Sequence, residues 1–462
     1  MKTFSLVSIS LLLSVAPTSF AAPTAKASTS LKEIRRRAIE NNETPEKHIV
    51  VLKQNEKRSW NDIFHEMGYN KTDLDGLKDT AGFRTSESFG RTFTMKLHSR
   101  EIESMSSLSH IEFIQKDHTR SGAGVRIDDP RFDAIPAPTF SGRFPIVKRQ
   151  QGQQGRLNIQ TQNNAPYNLG RISSMHSINK NGRDYNSLNY NYAFDAPNGK
   201  GVDIYVLDSG VNIDHVEFQG RAKNLFTAFN GDFRDLHGHG TNVAGIVGSR
   251  AYGVAKRANI YALRVLDAEN RGSDSDFINA LQAVVNNHNK RKNDRDFIGS
   301  IINFSIGGQG DNALLLRAFQ GVFAAGIHVS NSGMNDNVDA CTSHPQKYSL
   351  TTPMITTGNS DINDVKAAKS NFGKCITLHA PGEFIISTGK ENTQARSVFS
   401  GTSQASPAVV GVMADLMLRF RELRTDPQAM KAFLLKRSGG NVQGATGGGS
   451  ILNNVIDFNN NP

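Results

Sequence analysis

The chain has 462 residues, of which 37% are hydrophobic and 21% charged, with 41 glycines against 15 prolines. This length and composition predict two to three globular domains and exclude a wholly disordered chain, a collagen and a coiled coil. The formal net charge of +10 is divided evenly between residues 1–149 and 150–462, and an acidic residue interrupts the densest basic run, which argues against a nucleic-acid partner.

The N-terminus has the pattern of a secretory signal peptide. Lys2 gives a positive start, residues 4–15 are apolar, and small residues stand near Ala21, where a signal peptidase would cut. The apolar run is shorter than the ~20 residues of a spanning helix, and Pro17 interrupts it. We predict a signal peptide over residues 1–21, no membrane span, and a secreted, extracellular protein. Delivery to a vacuole lumen begins with the same signal and stays open.

The next hundred residues predict a polar leader followed by a small domain. Residues 22–47 are polar and charged, and we expect them to be poorly ordered. Residues 48–118 then alternate between strand and helix patterns, which predicts an α+β domain. The predicted elements are strands at 48–53, 91–97 and 111–114, and helices at 58–78 and 101–108.

Residues 119–162 change character and predict a linker. They are rich in Gly, Pro, Gln and Asn, have no sustained apolar period, and contain the dibasic pair Lys148-Arg149. Exposed segments of this kind are preferred sites of proteolytic cleavage. We therefore predict a processing site within this linker.

From residue 163 to 462, short apolar strands alternate with amphipathic helices. Strands are predicted at 202–207, 260–266 and 301–304, and helices at 277–288, 313–325 and 405–420. This alternation predicts an α/β domain with a parallel sheet and helices on both faces. Ligands of such folds bind at the carboxyl ends of the strands.

Three glycine-flanked stretches place reactive side chains at such strand ends or helix starts. Asp208 ends an apolar strand, His239 lies between glycines, and Ser403 stands where a helix begins. Taken singly, the aspartate and the serine are also typical helix caps, and His237 with His239 is a possible metal pair that lacks a third ligand nearby. An Asp, a His and a Ser in this order suit nucleophilic catalysis.

These stretches resemble the motifs of subtilisin-like serine proteases, which share the order Asp, His, Ser. Residues 164–173 resemble the mature start of proteinase K, residues 303–308 its substrate-pairing strand, and residues 48–118 the inhibitory propeptide of the family. The resemblance implies a serine endopeptidase with polypeptide substrates, made as a zymogen. Its propeptide would be an intramolecular inhibitor, and we predict a monomer.

The resemblance also implies a role for each site residue. Ser403 would be the nucleophile, His239 the base, Asp208 the group that orients the imidazole, and Asn335 an oxyanion donor. The substrate-binding positions would be Gly272, Ser305, Gly307 and Ser332.

The two cysteines, Cys341 and Cys375, are either one disulfide or two buried thiols when judged from the sequence alone. Their flanking residues resemble the cysteine pair of cerevisin-type fungal vacuolar proteases, which implies a disulfide. The proteinase K pattern has a calcium-ligand aspartate at the position of Thr377, so we do not expect that calcium site. We predict no cofactor, and calcium stays open as the alternative.

Some positions depart from the family pattern. Met334 replaces the glycine before the oxyanion asparagine, and Gln404 replaces the methionine after the nucleophile. We therefore expect an active endopeptidase with altered specificity. The alternative is a catalytically weak protein of subtilisin fold that binds polypeptides. Glycosylation sequons occur at Asn42, Asn70 and Asn303, the last on a strand expected to be buried.

Maturation is expected to remove the propeptide. The resemblance implies that the last propeptide strand, residues 111–114 running on to 117–118, lies in the substrate cleft. Cleavage within 119–162, by the enzyme itself or by a dibasic-specific protease, would leave a mature chain that begins between Gln150 and Asn164.

Overall fold

The computed structural model describes residues 31–69, 84–87, 89–133, 159–178 and 182–454. The predicted signal peptide, Asn70 and Lys148-Arg149 lie outside these ranges. Among the helices within them, none has the length and apolar character needed to cross a membrane.

The N-terminal part is a four-stranded antiparallel sheet with helices packed against it. Its strand order is β2-β3-β1-β4, and Val50, Phe64 and Phe93 are buried in its core. A capping box between Ser59 and Asp62 starts the second helix. The elements are α1 (Leu31–Glu40), β1 (Glu46–Leu52), α2 (Trp60–Glu66), β2 (Arg84–Ser86), β3 (Thr92–Leu97), α3 (Ser99–Ser106) and β4 (Ile111–Lys116).

The prediction of a poorly ordered leader is wrong for residues 31–40. Helix α1 buries Leu31 and Ala38 against the sheet domain, and Arg35 pairs with the buried Glu101 at 2.8 Å. The apolar positions recur at helical spacing within a strongly charged segment, so burial of one narrow stripe is enough to fix the helix. Asn42, the first sequon, lies exposed in the turn that follows.

The remaining elements form the larger domain and its approach. The strands are β5 (Thr119–Gly122), β6 (Val125–Arg126), β7 (Ile159–Ala165), β8 (Tyr190–Asp195), β9 (Val202–Asp208), β10 (Ala222–Thr227), β11 (Asn259–Arg264), β12 (Arg271–Ser273), β13 (Gly299–Phe304), β14 (Ile306–Gly307), β15 (His328–Ser332), β16 (Ile355–Ser360), β17 (Leu378–Pro381), β18 (Ile385–Thr388) and β19 (Arg396–Ser400). The helices are α4 (Pro130–Asp133), α5 (Tyr167–Ile172), α6 (His239–Gly248), α7 (Asp274–Arg291), α8 (Ala313–Ala324), α9 (Thr402–Arg419) and α10 (Pro427–Arg437).

Seven parallel strands in the order β10-β11-β9-β13-β15-β16-β17 form the central sheet. Helices α6 and α9 pack on one face through residues such as Val243 and Val409, and α7 and α8 pack on the other through Phe277 and Phe319. The predicted α/β fold is confirmed. Because the strands are parallel, their carboxyl ends lie at one edge of the sheet.

The N-terminal sheet packs on α7 and α8 of the larger domain. Ile49 and Val51 of β1 are buried in the same apolar cluster as Phe277. The Asp117 carboxylate, just after β4, accepts from the Ser275 backbone N–H at 2.9 Å, in the first turn of α7. The domain therefore covers the outer face of these helices and leads its own C-terminal end toward the sheet edge.

The predicted linker is wrong for residues 119–122 and 125–126, which form strands. β5 lies between β12 and β14 in one three-stranded sheet, and β6 is the edge strand of another beside β19. The residues supply no apolar period of their own. They form strands because they make hydrogen bonds with strands that are far away in the sequence.

The structure joins Cys341 and Cys375 in a disulfide. We expect replacement of both cysteines by serine to lower the free energy of unfolding by about 3–4 kcal/mol. Without the cross-link the unfolded chain has more conformational entropy, which favours unfolding. Denaturant unfolding of the two purified proteins measures the difference. Mass mapping without reductant that finds two free thiols in the wild type would contradict the pairing.

Candidate active site

Asp208, His239 and Ser403 come together at the carboxyl edge of the sheet. Asp208 is the last residue of β9, His239 the first of α6, and Ser403 lies in the first turn of α9. All three are fully buried. His239 Nδ1 donates to Asp208 Oδ1 at 2.7 Å, and the Ser209 backbone N–H donates to the same oxygen at 2.8 Å. A carboxylate held in this way fixes the orientation of the ring.

Asp235 and Gly240 hold the loop that presents His239. The Asp235 carboxylate accepts from the Ser209 hydroxyl at 2.8 Å and from the Gly238 and Thr241 N–H groups at 2.7 and 2.9 Å. A Cβ at Gly240 would collide with the carbonyl oxygen of Gly210, so only glycine permits this close approach. Asp235 belongs to the sequence motif around His239, but its role in holding this loop was not predicted from the sequence.

Pro407 contributes to the environment of Ser403. A proline four residues on lacks the N–H that would bond to the Ser403 carbonyl within the helix. That carbonyl instead accepts from the Ser305 hydroxyl at 3.2 Å, while the Ser403 hydroxyl donates to the Ser305 carbonyl at 3.3 Å. Within the described part of the chain, His239 Nε2 is buried and has no hydrogen-bond partner.

The protein's own residues 119–126 run through this site as an extended strand. Arg120 pairs with Gly272 of β12, and Ser121 pairs with Gly307 of β14. Beyond β5 the register continues, since the Ala123 N–H donates to the Ser305 carbonyl at 3.1 Å. Three of the four predicted substrate-binding positions, Gly272, Ser305 and Gly307, therefore contact one extended segment.

The peptide bond between Ala123 and Gly124 lies next to His239, Ser403 and Asn335. The Ala123 carbonyl oxygen accepts from Asn335 Nδ2 and, at 3.4 Å, from the Ser403 N–H. The Thr402 N–H donates to Asn335 Oδ1 at 3.0 Å, which turns the amide nitrogen toward Ala123. A Cβ built on Gly124 would be 2.7 Å from His239 Nε2, so Gly124 lies directly against the ring.

The expectation that residues 111–114 lie in the substrate cleft is wrong. β4 is instead bonded to β1 inside the N-terminal sheet, where Ile111 is buried in that domain's own core. The chain then continues through Asp117 and His118 and enters the cleft as β5. The strand that occupies the site is thus the polar sequence that follows the predicted domain, not the apolar strand that ends it.

Met334 and Gln346 lie against Gly307, the residue that pairs with Ser121. Ser121 and Ala123 project to the same face as Gly307, because directly opposed antiparallel residues share a face. A Cβ on Gly307 would be 2.7 Å from both Met334 Sδ and Gln346 Oε1. Met334 has φ +74°, a left-handed conformation that favours glycine. Met334 and Gln346 therefore restrict the space beside Gly307, on the face to which Ala123 projects.

The remaining predicted positions lie around this centre. Ser332 lies on β15, and its carbonyl accepts from Gln346 Nε2 at 2.7 Å; no hydrogen bond joins it to residues 119–126 among the described residues. Gln404 donates to Asn242 at 3.3 Å. The Thr377 hydroxyl accepts from the Thr356 N–H at 3.1 Å.

His237 was considered as a metal ligand together with His239, and burial lowers its pKa. In the ranges that the structure covers, no group of three His, Cys, Asp or Glu residues is placed to hold a metal.

The geometry agrees with what comparison with known proteins finds. The profile of the subtilase family, peptidase S8, matches residues 199–454, more than half of the chain. The chain belongs to the subtilase family. The resemblance to subtilisin-like serine proteases is thereby confirmed.

Two fungal relatives of this subtilase show the extent of the similarity. It is 34% identical to the subtilisin-like serine protease Cur l 4.0101 of Cochliobolus lunatus, over 70% of this chain and 64% of the relative. It is 39% identical to subtilisin-like protease 8 of Arthroderma benhamiae, over 59% of this chain and 55% of the relative. The alignments thus span less than two thirds of these relatives. A solved cold-adapted subtilisin-like serine proteinase is 32% identical with a TM-score of 0.54, covering 64% of this chain and all of that one.

Proposed function

We propose that this subtilase is a serine endopeptidase that cleaves polypeptides through Asp208, His239 and Ser403. The observation that carries the proposal is the Ala123 carbonyl oxygen, which accepts from the Ser403 N–H and Asn335 Nδ2 beside the buried His239–Asp208 pair. Two donors converging on one carbonyl next to a nucleophile and a base are what acyl transfer requires.

The mechanism follows from these contacts. Ser403 Oγ attacks the carbonyl carbon while His239 Nε2 takes the hydroxyl proton, and Asp208 stabilises the imidazolium. The Ser403 N–H and Asn335 Nδ2 donate to the oxyanion. The carbon–nitrogen bond then breaks, and His239 returns the proton to the departing amine. In the second half, water attacks the acyl carbon while His239 Nε2 takes its proton. The ester bond to Ser403 Oγ then breaks, and His239 returns the proton to Oγ, which releases the carboxylic acid and restores the enzyme.

The same contacts support a zymogen. Residues 119–126 occupy the cleft as a substrate would, so the uncut chain excludes other polypeptides. We propose that the enzyme first cuts its own Ala123–Gly124 bond, and that a later cut near Lys148-Arg149 gives a mature chain beginning between Gln150 and Asn164. The signal-peptide pattern supports secretion, and we propose that the enzyme is a monomer that works without a metal cofactor.

Labelling by an organophosphorus serine-hydrolase probe tests the proposal. We expect the mature wild type to be labelled and the Ser403→Ala protein not to be. Wild-type protein that is folded and processed but takes no label would contradict the enzyme and favour the alternative, a polypeptide-binding protein of subtilase fold.

Replacement of Asn335 by alanine should lower kcat by on the order of 10²–10³, the loss known for an oxyanion-hole donor of subtilisin, and leave KM nearly unchanged. The reason is that the amide supports the oxyanion more than the bound substrate. Steady-state kinetics on a peptide substrate measures the change. Asn337→Ala, two residues along the same loop, is the matched control. An unchanged kcat for Asn335→Ala would remove this residue from the oxyanion site.

Met334→Gly should widen the pocket for the residue before the cleaved bond. The wild type is expected to prefer Ala over Phe there, because Met334 Sδ and Gln346 occupy the space beside Gly307. The substitution should raise kcat/KM for Phe relative to Ala by about 10-fold or more. A wild type that already prefers Phe would show that the pocket is open.

A further inference from the structure

Arg120 is the most completely enclosed part of the segment that occupies the cleft. Its side chain is fully buried. It lies in β5 opposite Gly272, four residues before the Ala123–Gly124 bond when Ala123 is counted as the first. An arginine is almost never fully buried unless each of its donors has a partner.

The Arg120 guanidinium meets Asp274 as a two-point pair. Its Nε donates to Asp274 Oδ1, and its Nη2 donates to Asp274 Oδ2 at 2.8 Å. The Asp274 carboxylate has no exposure of its own, and Asn312 Nδ2 donates to its Oδ2 at 2.8 Å. Among the cationic side chains, only arginine can make this planar pair of two parallel hydrogen bonds to a carboxylate.

Backbone carbonyl groups complete the enclosure. Nη1 donates to the carbonyls of His344 at 3.0 Å and Gly308 at 3.2 Å, and Nη2 donates to the carbonyl of Gly310 at 2.9 Å. Asp274, Asn312 and these carbonyl groups belong to the larger domain. They therefore stay with the enzyme when residues 119–123 leave the cleft, and they then present a carboxylate and several acceptors with no cation among them.

We infer that the mature enzyme selects polypeptide substrates with arginine at the fourth position before the cleaved bond, read by Asp274. The inference rests on the proposed endopeptidase function and names its substrate class. Burial raises the pKa of the Asp274 carboxyl and the Arg120 hydrogen bonds oppose that rise, so the pocket favours a cation that restores the pairing. A neutral side chain there would leave the carboxylate and the carbonyl groups without donors.

Fluorogenic peptides test the inference on the mature wild-type enzyme, with the chain's own sequence Arg-Ser-Gly-Ala before the reporter. The arginine is replaced by citrulline, which keeps the shape without the charge, and by alanine, leucine or lysine. We expect kcat/KM for arginine to exceed that for citrulline or alanine by on the order of 10²-fold or more, because the unpaired site rejects neutral groups. Lysine should fall between, since its ammonium makes no planar pair.

Two variants locate the effect. Asp274→Asn should reduce the ratio of arginine to citrulline to within a few-fold, since the amide carries no charge. Asp276→Asn, the matched control on the same helix, has a carboxylate that accepts from the Ser273 hydroxyl and should keep the wild-type ratio. The wild-type peptide series decides the inference even where Asp274→Asn fails to fold.

Failure of this inference differs from failure of the proposed function. Equal kcat/KM for the arginine and citrulline peptides, with hydrolysis that depends on Ser403, would overturn the arginine preference and leave the endopeptidase in place. No hydrolysis of any peptide and no probe labelling would contradict the endopeptidase, and the inference would fall with it.

Discussion

Replacing Ser403 with alanine is expected to lower kcat for peptide hydrolysis by on the order of 10⁶, the size known for subtilisin. The variant keeps the buried His239–Asp208 pair and the Asn335 amide, but no hydroxyl remains to attack the carbonyl carbon. The precursor should also accumulate uncut. Steady-state kinetics and gel analysis of the purified full-length proteins measure both effects.

Ser406→Ala, one helical turn further along α9, is the control for Ser403→Ala. It removes a buried hydroxyl that bonds to the Ser330 hydroxyl at 2.9 Å, so it disturbs the packing of the helix without touching the Ala123–Gly124 bond. We expect this variant to mature. If the Ser403→Ala protein hydrolyses peptides at a rate near that of the wild type, Ser403 is not the nucleophile.

Replacing Asp208 with asparagine is expected to lower kcat by on the order of 10⁴. The carboxylate accepts from His239 Nδ1 at 2.7 Å, which leaves Nε2 without a proton and directed at the substrate. An asparagine amide that donates to Nδ1 would favour the other tautomer, whose Nε2 carries a proton and cannot act as a base. Single-turnover kinetics with a peptide ester measures the loss.

Asp203→Asn is the matched control for Asp208→Asn, because Asp203 is also buried on β9 but pairs with Arg291 at 2.9 Å near the other end of the strand. It should affect stability and spare kcat. A loss of similar size in both variants would mean that a buried charge in β9 is needed for folding, and would contradict a specific role for Asp208.

The apolar patterns predicted three of the seven central strands, because the signals of those strands are local. Strands 202–207 and 301–304 and helices 277–288 and 405–420 differ from the observed elements by only a few residues at their ends. Each has an apolar period set by its own burial, and the glycines beside His239 and Ser403 mark the turns. The same local signals singled out Asp208, His239 and Ser403, whereas Asn335 was found only through the resemblance to subtilisin-like proteases; the fold brings all four together.

The strand in the cleft could not be predicted in this way. Residues 119–126 have neither an apolar period nor strong β propensity, and they become strands only because β12, β14 and β19 supply partners. The Arg120–Asp274 pair spans 154 positions, so both residues read as ordinary solvent-exposed charges until the fold buries them together. Asp235 was missed for a similar reason, since its hydrogen bonds with Ser209 and Thr241 are tertiary.

Ser403 is proposed to cut the Ala123–Gly124 bond, whose carbonyl oxygen accepts from its backbone N–H. Intact mass analysis of the N-terminal fragment released when the full-length wild type matures tests this self-cleavage most directly. The fragment is expected to end at Ala123, and the Ser403→Ala protein is expected to release no such fragment. A wild-type fragment that ends elsewhere, or release of the Ala123-terminated fragment by Ser403→Ala, would contradict the account.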